Sequence, residues 1–188
     1  RFINYDSANI DTDSLKLSKH RDDKDNNFYQ YKDLDSLIDK EFEYIYLLDI
    51  PTSKEYLYKI INLKPKKVFL ICEEKQVLSD VYLIDKNRLI KLFNLILSTN
   101  NKQINVAQQL DQLLVVLKTN VDSLKIMIQI FKELELINFV NNTIILNPDY
   151  KTVDLKKSSS FIRMENIFEV EKLLLKESIT NINKILEV

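Results

Sequence analysis

Residues 86–146, KNRLIKLFNLILSTNNKQINVAQQLDQLLVVLKTNVDSLKIMIQIFKELELINFVNNTIIL, decide the fold of this chain. Apolar residues recur there every three or four positions in three successive blocks, which is the spacing of amphipathic helices. The predicted helices are Lys86–Thr99, Val106–Leu117 and Val121–Glu135. Two short apolar runs follow at Ile137–Val140 and Thr143–Leu146. Asn141 and Asn142 between them tolerate a positive φ and predict a tight hairpin. Three helices followed by a hairpin are the order of a winged helix-turn-helix.

The residues before this block predict a small, Rossmann-like α/β layer. Phe42–Ile50 is nearly all apolar or aromatic, as expected of a central strand covered on both faces. A helix from Ser53 to about Leu63 and a second buried-type strand at Lys67–Cys72 follow. This pattern predicts a βαβ unit with parallel strands and a right-handed crossover. The other predicted elements are strands at Arg1–Tyr5, Ser14–Ser18 and Phe28–Tyr31, a helix capped by Asp33 that runs to about Lys40, and Val81–Ile84 as either a last strand or the entry to the next helix.

The last segment predicts a long amphipathic helix. Ser158–Ser160 offer an N-cap, and apolar residues at helical spacing, Leu175 among them, continue close to Val188. The predicted fold class is therefore α/β, or α+β overall. It combines a Rossmann-like half at residues 1–84 with a winged-helix half at residues 85–188 that includes the C-terminal helix.

Composition narrows the classes of function. The net charge of −1 is not the basic surplus typical of a protein that neutralises phosphates. The chain has no glycine, which excludes a P-loop, a GxGxxG dinucleotide turn and a G-x-S-x-G nucleophile elbow, because each depends on glycine backbone geometry. We expect the asparagine pairs at 26–27, 100–101 and 141–142 to supply left-handed conformations instead.

The sequence predicts neither a signal peptide nor a membrane span. No apolar run approaches the roughly 18 residues that a membrane span needs, so no membrane association is predicted. The single cysteine, Cys72, fits a reducing cytoplasm. The only methionines are Met127 and Met164, so we expect the chain to be a C-terminal fragment of a longer protein.

Four segments after residue 84 carry a family resemblance: Asp85–Phe93 (DKNRLIKLF), Ile130–Ile137 (IFKELELI), Asp154–Ser158 (DLKKS) and Val170–Leu175 (VEKLLL). Upstream, Leu47–Pro51 (LLDIP) matches a strand that ends in an Asp-x-Pro turn. In the order and spacing of these segments the chain resembles the C-terminal domain of RecJ-type single-stranded-DNA-specific exonucleases of low-GC Gram-positive bacteria. The resemblance covers most of the chain and is weaker before Phe42. Related domains tend to have glycine at the position of Glu135 and Asn-Gly in place of Asn141-Asn142.

The resemblance implies that the parent enzyme degrades single-stranded DNA 5′ to 3′ with a divalent metal, Mn or Mg, held by aspartates of an N-terminal DHH-type core. Nothing like Asp-His-His occurs here, and the only histidine is His20, between two basic residues. We therefore expect no catalytic, cofactor or metal site in this chain, and an accessory role in DNA repair or recombination. That role would be to dock a partner protein or to help orient the parent enzyme on DNA. The expected partners are repair proteins such as single-strand-binding protein or a helicase, with single-stranded DNA reached through the parent enzyme.

Two sets of residues are candidate contacts for nucleic acid or for a partner. On the third helix the outward positions are predicted to be Asp122, Ser123, Lys125, Ile126, Gln129, Lys132 and Glu133. After the hairpin the candidates are Lys151, Lys156, Lys157 and Arg163, with Phe161 available for base stacking. Four lysines between residues 102 and 135 are balanced by four acidic residues, so that module is neutral. A neutral face without arginine favours protein docking over duplex reading, and a solvated linker with a helix cap is favoured for the second set.

Two weaker candidates have simpler structural explanations. Asp49, Thr52 and Ser53 are predicted at the carboxyl end of a parallel strand, where α/β sheets bind ligands, but capping is favoured because no glycine loop admits a phosphate. Asp23–Asn27 begins like a calcium loop. The sixth and twelfth positions are not the required glycine and acid, so a solvated loop is favoured.

The main alternative function is a stand-alone winged-helix nucleic-acid-binding module, either a transcription regulator or a single-strand clamp. Its affinity for DNA would fall steeply with salt. A small-molecule site in the α/β half stays open but has no sequence fingerprint.

Overall fold

The computed structural model describes residues 2–4, 14–18, 28–71 and 81–176. Backbone contacts divide the chain into two compact units, residues 1–78 with 166–188, and residues 79–165. The segment from Asn166 onward thus groups with the α/β half, whereas the sequence interpretation placed all of 85–188 in the winged-helix half. The difference arises because this segment contributes apolar residues to the core of the first unit.

The first unit is built on a parallel sheet. Its described elements are β1 (Phe2–Asn4), β2 (Leu15–Ser18), β3 (Phe28–Gln30), a 3-10 helix (Tyr31–Leu37), β4 (Tyr44–Leu47), α1 (Lys54–Asn62) and β5 (Lys67–Leu70). The five strands are all parallel, in the order β1-β5-β4-β2-β3. β4 and β5 are adjacent, with Ile45 opposite Val68, and α1 lies between them in sequence. The predicted parallel βαβ unit is therefore confirmed.

The core of this unit contains side chains from the sheet, the 3-10 helix, α1 and the C-terminal segment. Leu15 and Leu17 of β2 and Ile45 and Leu47 of β4 are fully buried. The α1 helix adds Leu57 and Ile60, three positions apart on one face. From the C-terminal segment, Val170, Leu173 and Leu174 belong to the same cluster. Burial of each such side chain stabilises the fold by about 1.5–3 kcal/mol.

Three local predictions in this unit need correction. The helix expected to begin after Asp33 begins at Tyr31. Asp33 is therefore not the residue before the helix but the third residue within it, and its carboxylate accepts the Gln30 N–H at 3.1 Å. Ser53 precedes α1 as predicted, but its side chain makes no capping hydrogen bond. The strand predicted over 42–50 is limited to Tyr44–Leu47, since the neighbouring strands are also only four residues long.

The second unit contains three helices and a small antiparallel sheet. Its elements are α2 (Lys86–Ser98), β6 (Gln103–Asn105), α3 (Val106–Leu117), α4 (Val121–Glu133), β7 (Ile137–Val140), β8 (Thr143–Leu146), a 3-10 turn (Leu155–Lys157) and the start of α5 (Ser159–Glu171). The sheet order is β6-β8-β7. The three predicted helices and the hairpin are confirmed to within two residues at each end. β6 was not predicted, because a three-residue strand with one buried residue, Ile104, shows no alternation.

Each helix of this unit is started by a side-chain cap. Asp85, Asn105 and Asn120 accept the N–H groups of Arg88, Gln108 and Ser123 at 2.8, 3.0 and 2.9 Å. Such caps each stabilise a helix by about 1 kcal/mol. Val81–Ile84 forms no strand, and Leu83 instead donates its N–H to the Ser123 hydroxyl at 2.8 Å.

Left-handed residues are placed differently from the prediction. In the described part of the chain the positive-φ residues are Lys64, Lys102, Lys118, Glu135, Asn141 and Asn142. The pair 141–142 does form the predicted hairpin turn, and two successive positive φ values are those of a type I′ turn. The pair 100–101 does not, and lysine or glutamate takes the left-handed position after α1, α3 and α4. The pair 26–27 lies outside the described residues.

The C-terminal helix is also less regular than expected. α5 ends at Glu171 and is followed by a π-helical turn over Lys172–Lys176. Leu175, predicted on the apolar face, is exposed because the π-helical turn changes the periodicity. The predicted continuation toward Val188 lies outside the described residues.

Candidate functional site

An apolar groove in the second unit is the best-formed candidate site. Its first wall is α2, where Leu89 is buried and Ile90, one residue on, remains 48% exposed. The Asp85 cap fixes the start of this helix and therefore the direction in which Ile90 and Phe93 project. The groove has a volume of about 300 Å³.

Three aromatic rings form one side of the groove. Phe93 packs edge-to-face against Phe131 of α4, with ring centroids 6.1 Å apart. It packs in the same way against Tyr150, at 5.3 Å. Edge-to-face contacts add to burial by about 0.5–1.5 kcal/mol each, so this wall is rigid and apolar.

The segment that follows β8 carries Tyr150 and supplies further lining residues of the groove. Asn147 fixes its direction, since its side-chain amide donates to the Glu135 carbonyl at 2.9 Å and its backbone N–H donates to the Leu136 carbonyl at 2.9 Å. Tyr150, Val153 and Leu155 then line the groove. The sequence predicted this segment only as a turn and a polar link. The one indication that it lines a site was its isolated apolar residues.

The charge around the groove is of one sign. Lys86 and Lys151 are the only charged residues among those that line the described groove, and both are exposed. An apolar floor with cations at its rim is complementary to an apolar side chain flanked by carboxylates. Of the predicted contact residues, Lys151 is therefore the one that the structure brings to this groove.

The predicted face of the third helix, now α4, is engaged with its own neighbours. Lys125 pairs with Asp122 at 3.1 Å, and Gln129 donates to Glu133 at 3.1 Å. Lys132 is exposed on the same helix. Ser123 was predicted to point outward, and that prediction is wrong: it is fully buried, because its hydroxyl accepts the Leu83 N–H.

Glu133 is the centre of a cluster that sequence reasoning missed, which we call the Glu133 clamp. Its carboxylate accepts hydrogen bonds from three consecutive serines at the start of α5. The Oε2 atom is 2.6 Å from Ser158 Oγ, 3.2 Å from Ser159 Oγ and 2.9 Å from Ser160 N, and the Oε1 atom is 2.6 Å from Ser160 Oγ. Ser158 Oγ in turn accepts the Phe161 N–H at 3.1 Å, which confirms the predicted N-cap.

The clamp sets the charge state of the carboxylate. Partial burial alone would raise the pKa of Glu133, but the hydrogen bonds from Ser158 and Ser160, with that from Gln129, outweigh it. They lower the pKa from 4.5 to about 2. A carboxylate at the N-terminus of α5 is also favoured by the helix dipole. Glu133 is therefore a structural anion that fixes the start of α5.

The predicted basic residues after the hairpin are all exposed. Lys156 and Lys157 are exposed on the 3-10 turn, and Arg163 is exposed on α5. Phe161 is half-buried within the first turn of α5. Lys151 lies at the groove. These residues stay predicted contacts.

The carboxyl-end cluster of the first unit has a structural role. Ser18 at the end of β2 donates to the buried Asp49 carboxylate at 2.6 Å, and the Tyr31 hydroxyl donates to the Asp49 backbone carbonyl. These bonds join the chain after β4 to β2 and to the 3-10 helix. The calcium-like loop at 23–27, His20 and Cys72 lie outside the described residues. Among the residues that are described, no three His, Cys, Asp or Glu side chains converge as metal ligands.

Comparison with known proteins gives one finding. A family model described as the C-terminal domain of single-strand DNA-specific exonucleases matches residues 6–186. The searches of curated proteins and of solved structures gave no significant match. In the described part of the chain, none of the helices has the length and apolarity to cross a bilayer.

Proposed function

Because the chain belongs to the family of single-strand DNA-specific exonuclease C-terminal domains, we propose that it is a non-catalytic accessory domain of a RecJ-type enzyme and that it docks a partner protein. In this proposal the divalent metal, Mn or Mg, and the cleavage of the DNA backbone belong to the rest of the parent enzyme, which acts 5′ to 3′ on single strands in the cytoplasm. The partner is a protein of repair or recombination, such as single-strand-binding protein or a helicase.

The observation that supports docking is the apolar groove with its lysine rim. A side chain such as Ile90 that stays 48% exposed beside a rigid aromatic wall offers a site for an apolar anchor of a partner. Lys86 and Lys151 favour a partner segment with acidic residues around that anchor. The proposed occupant is therefore an acidic segment that carries a large apolar side chain.

The alternative, a regulator that reads duplex DNA, has less support. A recognition helix needs free cationic or amide side chains toward the groove of DNA. On α4, Lys125 and Gln129 are engaged with carboxylates of the same helix. The four acidic residues between 102 and 135 cancel the four lysines there.

The docking proposal is tested with the 188-residue chain, purified single-strand-binding protein from the same organism, and titration calorimetry. Ile90→Glu places a carboxylate on the groove wall and should weaken binding about tenfold or more, which corresponds to about 1.4 kcal/mol. The matched control is Ile162→Glu, because Ile162 is 40% exposed and does not line the groove. The control should bind as the wild type does.

Two results would contradict the proposal. If Ile90→Glu and Ile162→Glu weaken binding equally, or neither does, the groove is not the docking site. Metal-dependent degradation of DNA by the pure chain would contradict the accessory role. In the parent enzyme, Ile90→Glu should leave the rate of cleavage of naked single-stranded DNA unchanged.

A further inference from the structure

A second cleft in the same unit has the opposite character, because it is polar and uncharged. It is an open cleft of about 590 Å³, within the range of about 300–1,000 Å³ that is typical of ligand sites. It lies between the end of α2, β6, the start of α3 and the β7–β8 turn. Side-chain amides dominate the lining, chiefly Asn100, Gln103, Gln108, Gln109 and Asn141. We call this site the amide cleft.

The walls of the amide cleft are held by hydrogen bonds that do not use those amides. Asn105 joins two walls, since it caps α3 through the Gln108 N–H at 3.0 Å and its own amide is 3.5 Å from Thr143 Oγ1. The Val106 N–H donates to the Asn142 carbonyl at 2.7 Å, which fixes the hairpin turn against the start of α3. The cleft is therefore preformed.

The amides that line the cleft are available to a ligand. Within the described residues, the side chains of Asn100, Gln103, Gln108, Gln109 and Asn141 donate and accept no intramolecular hydrogen bond. Each amide offers an acceptor oxygen and two donor hydrogens side by side. No lysine, arginine, aspartate or glutamate lines the cleft, so it neither attracts phosphates strongly nor repels them.

We propose that the amide cleft binds exposed bases of single-stranded nucleic acid, with a preference for adenine. An asparagine or glutamine amide can pair with adenine through two hydrogen bonds at once, to N6 and N7. Bases of a single strand can be splayed out and read at their edges, which duplex geometry prevents. The inference rests on the part of the proposed function in which the parent enzyme acts on single strands.

The test uses the 188-residue chain and fluorescent homo-oligonucleotides of about ten nucleotides, dA, dC and dT, followed by anisotropy. We expect the dA strand to bind about fivefold or more tighter than the other two, as expected when a two-bond amide contact is lost. Because no cation lines the cleft, this ratio should be the same in about 0.05 and 0.2 M salt, even where all three affinities change.

The double variant Gln108→Leu, Gln109→Leu should bind the dA, dC and dT strands with equal affinity. Gln112→Leu is the matched control, because Gln112 is an exposed glutamine of the same helix outside the cleft, and it should keep the ratio. If the double variant fails to fold, a second measurement uses the wild type alone. Adenosine should then shift the side-chain amide NMR signals of Gln103 and Gln108 and leave that of Gln112 in place.

Equal affinity for the three strands would overturn the inference, as would a double variant that folds and keeps the adenine preference. Shifts of the same amide signals by maltotriose and not by adenosine would assign the cleft to a neutral sugar and would also overturn it. The outcome is independent of the docking proposal. Ile90→Glu alters the apolar groove only and should leave the adenine preference intact.

Discussion

Substitution of Glu133 should destabilise the second unit more than any other exposed or half-buried carboxylate in it would. The carboxylate accepts five hydrogen bonds, four of them from the serines at the start of α5. Loss of a helix cap costs about 1 kcal/mol, and a donor left buried without its charged acceptor costs about 1–3 kcal/mol. Ser158 is fully buried, so its hydroxyl cannot turn to water. Since Glu133 itself keeps some contact with solvent, we expect Glu133→Ala to cost about 2 kcal/mol.

The pH dependence provides a second readout of the same clamp. The folded-state pKa of Glu133 is lowered to about 2, so the unfolded chain binds the proton more tightly. The contribution of the carboxylate is therefore fully present above about pH 4.5 and is lost as the pH falls toward 2. Glu133→Gln cannot titrate, so the stability difference between it and the wild type should shrink over that interval.

Urea unfolding followed by circular dichroism at pH 7 and pH 3 measures both effects. Hydrogen exchange of the Ser160 and Phe161 amides gives a local measure that does not depend on two-state unfolding. Ser159→Ala is a suitable control, since Ser159 is exposed and makes the longest of the serine bonds, 3.2 Å. A cost below about 0.5 kcal/mol for Glu133→Ala, the range of ordinary surface substitutions, would refute the reasoning. A difference in the free energy of unfolding between Glu133→Gln and the wild type that stays constant with pH would also refute it.

Three further substitutions test the fold directly. Lys118→Gly should stabilise the chain by about 1 kcal/mol in urea unfolding, because Lys118 ends α3 at φ 49° and glycine removes the left-handed penalty. Lys132→Gly inside α4 should instead destabilise the chain by about 1 kcal/mol. If the two glycine variants changed the free energy of unfolding in the same direction, this explanation would be contradicted. Ser123→Ala leaves the Leu83 N–H without its acceptor and should lower the thermal midpoint by an amount equivalent to about 1–3 kcal/mol, whereas an unchanged midpoint would mean that water replaces the hydroxyl.

Local periodicity was sufficient to predict the three helices and the hairpin of the second unit. α3 runs from Val106 to Leu117 and the hairpin strands have the predicted bounds, because each depends on residues close in sequence. The parallel pairing of β4 and β5 was predictable for the same reason, since one helix connects them. The family resemblance was carried by short segments on these elements.

The candidate site was less predictable because its contacts are distant in sequence. Glu133 meets Ser158 across 25 positions, and nothing in the helix pattern distinguishes it from an ordinary solvated acid. Ser123 is buried by the segment around Leu83, 40 positions earlier. Tyr150 completes the aromatic wall only after the chain has turned at Asn147. For Lys64, Lys102 and Lys118, the left-handed conformation is imposed by the geometry of the turn and not by the residue type.

The position of β1 affects how the first unit assembles during synthesis. Phe2 pairs with Val68 of β5, and β1 has no other partner in the described sheet. At about 5–20 residues per second, the ribosome releases β5 several seconds after β1. A parallel sheet has no hairpin that could protect the waiting strand. β1 therefore stays unpaired until β5 has been synthesised, and this interval is when chaperone binding or aggregation would compete with folding.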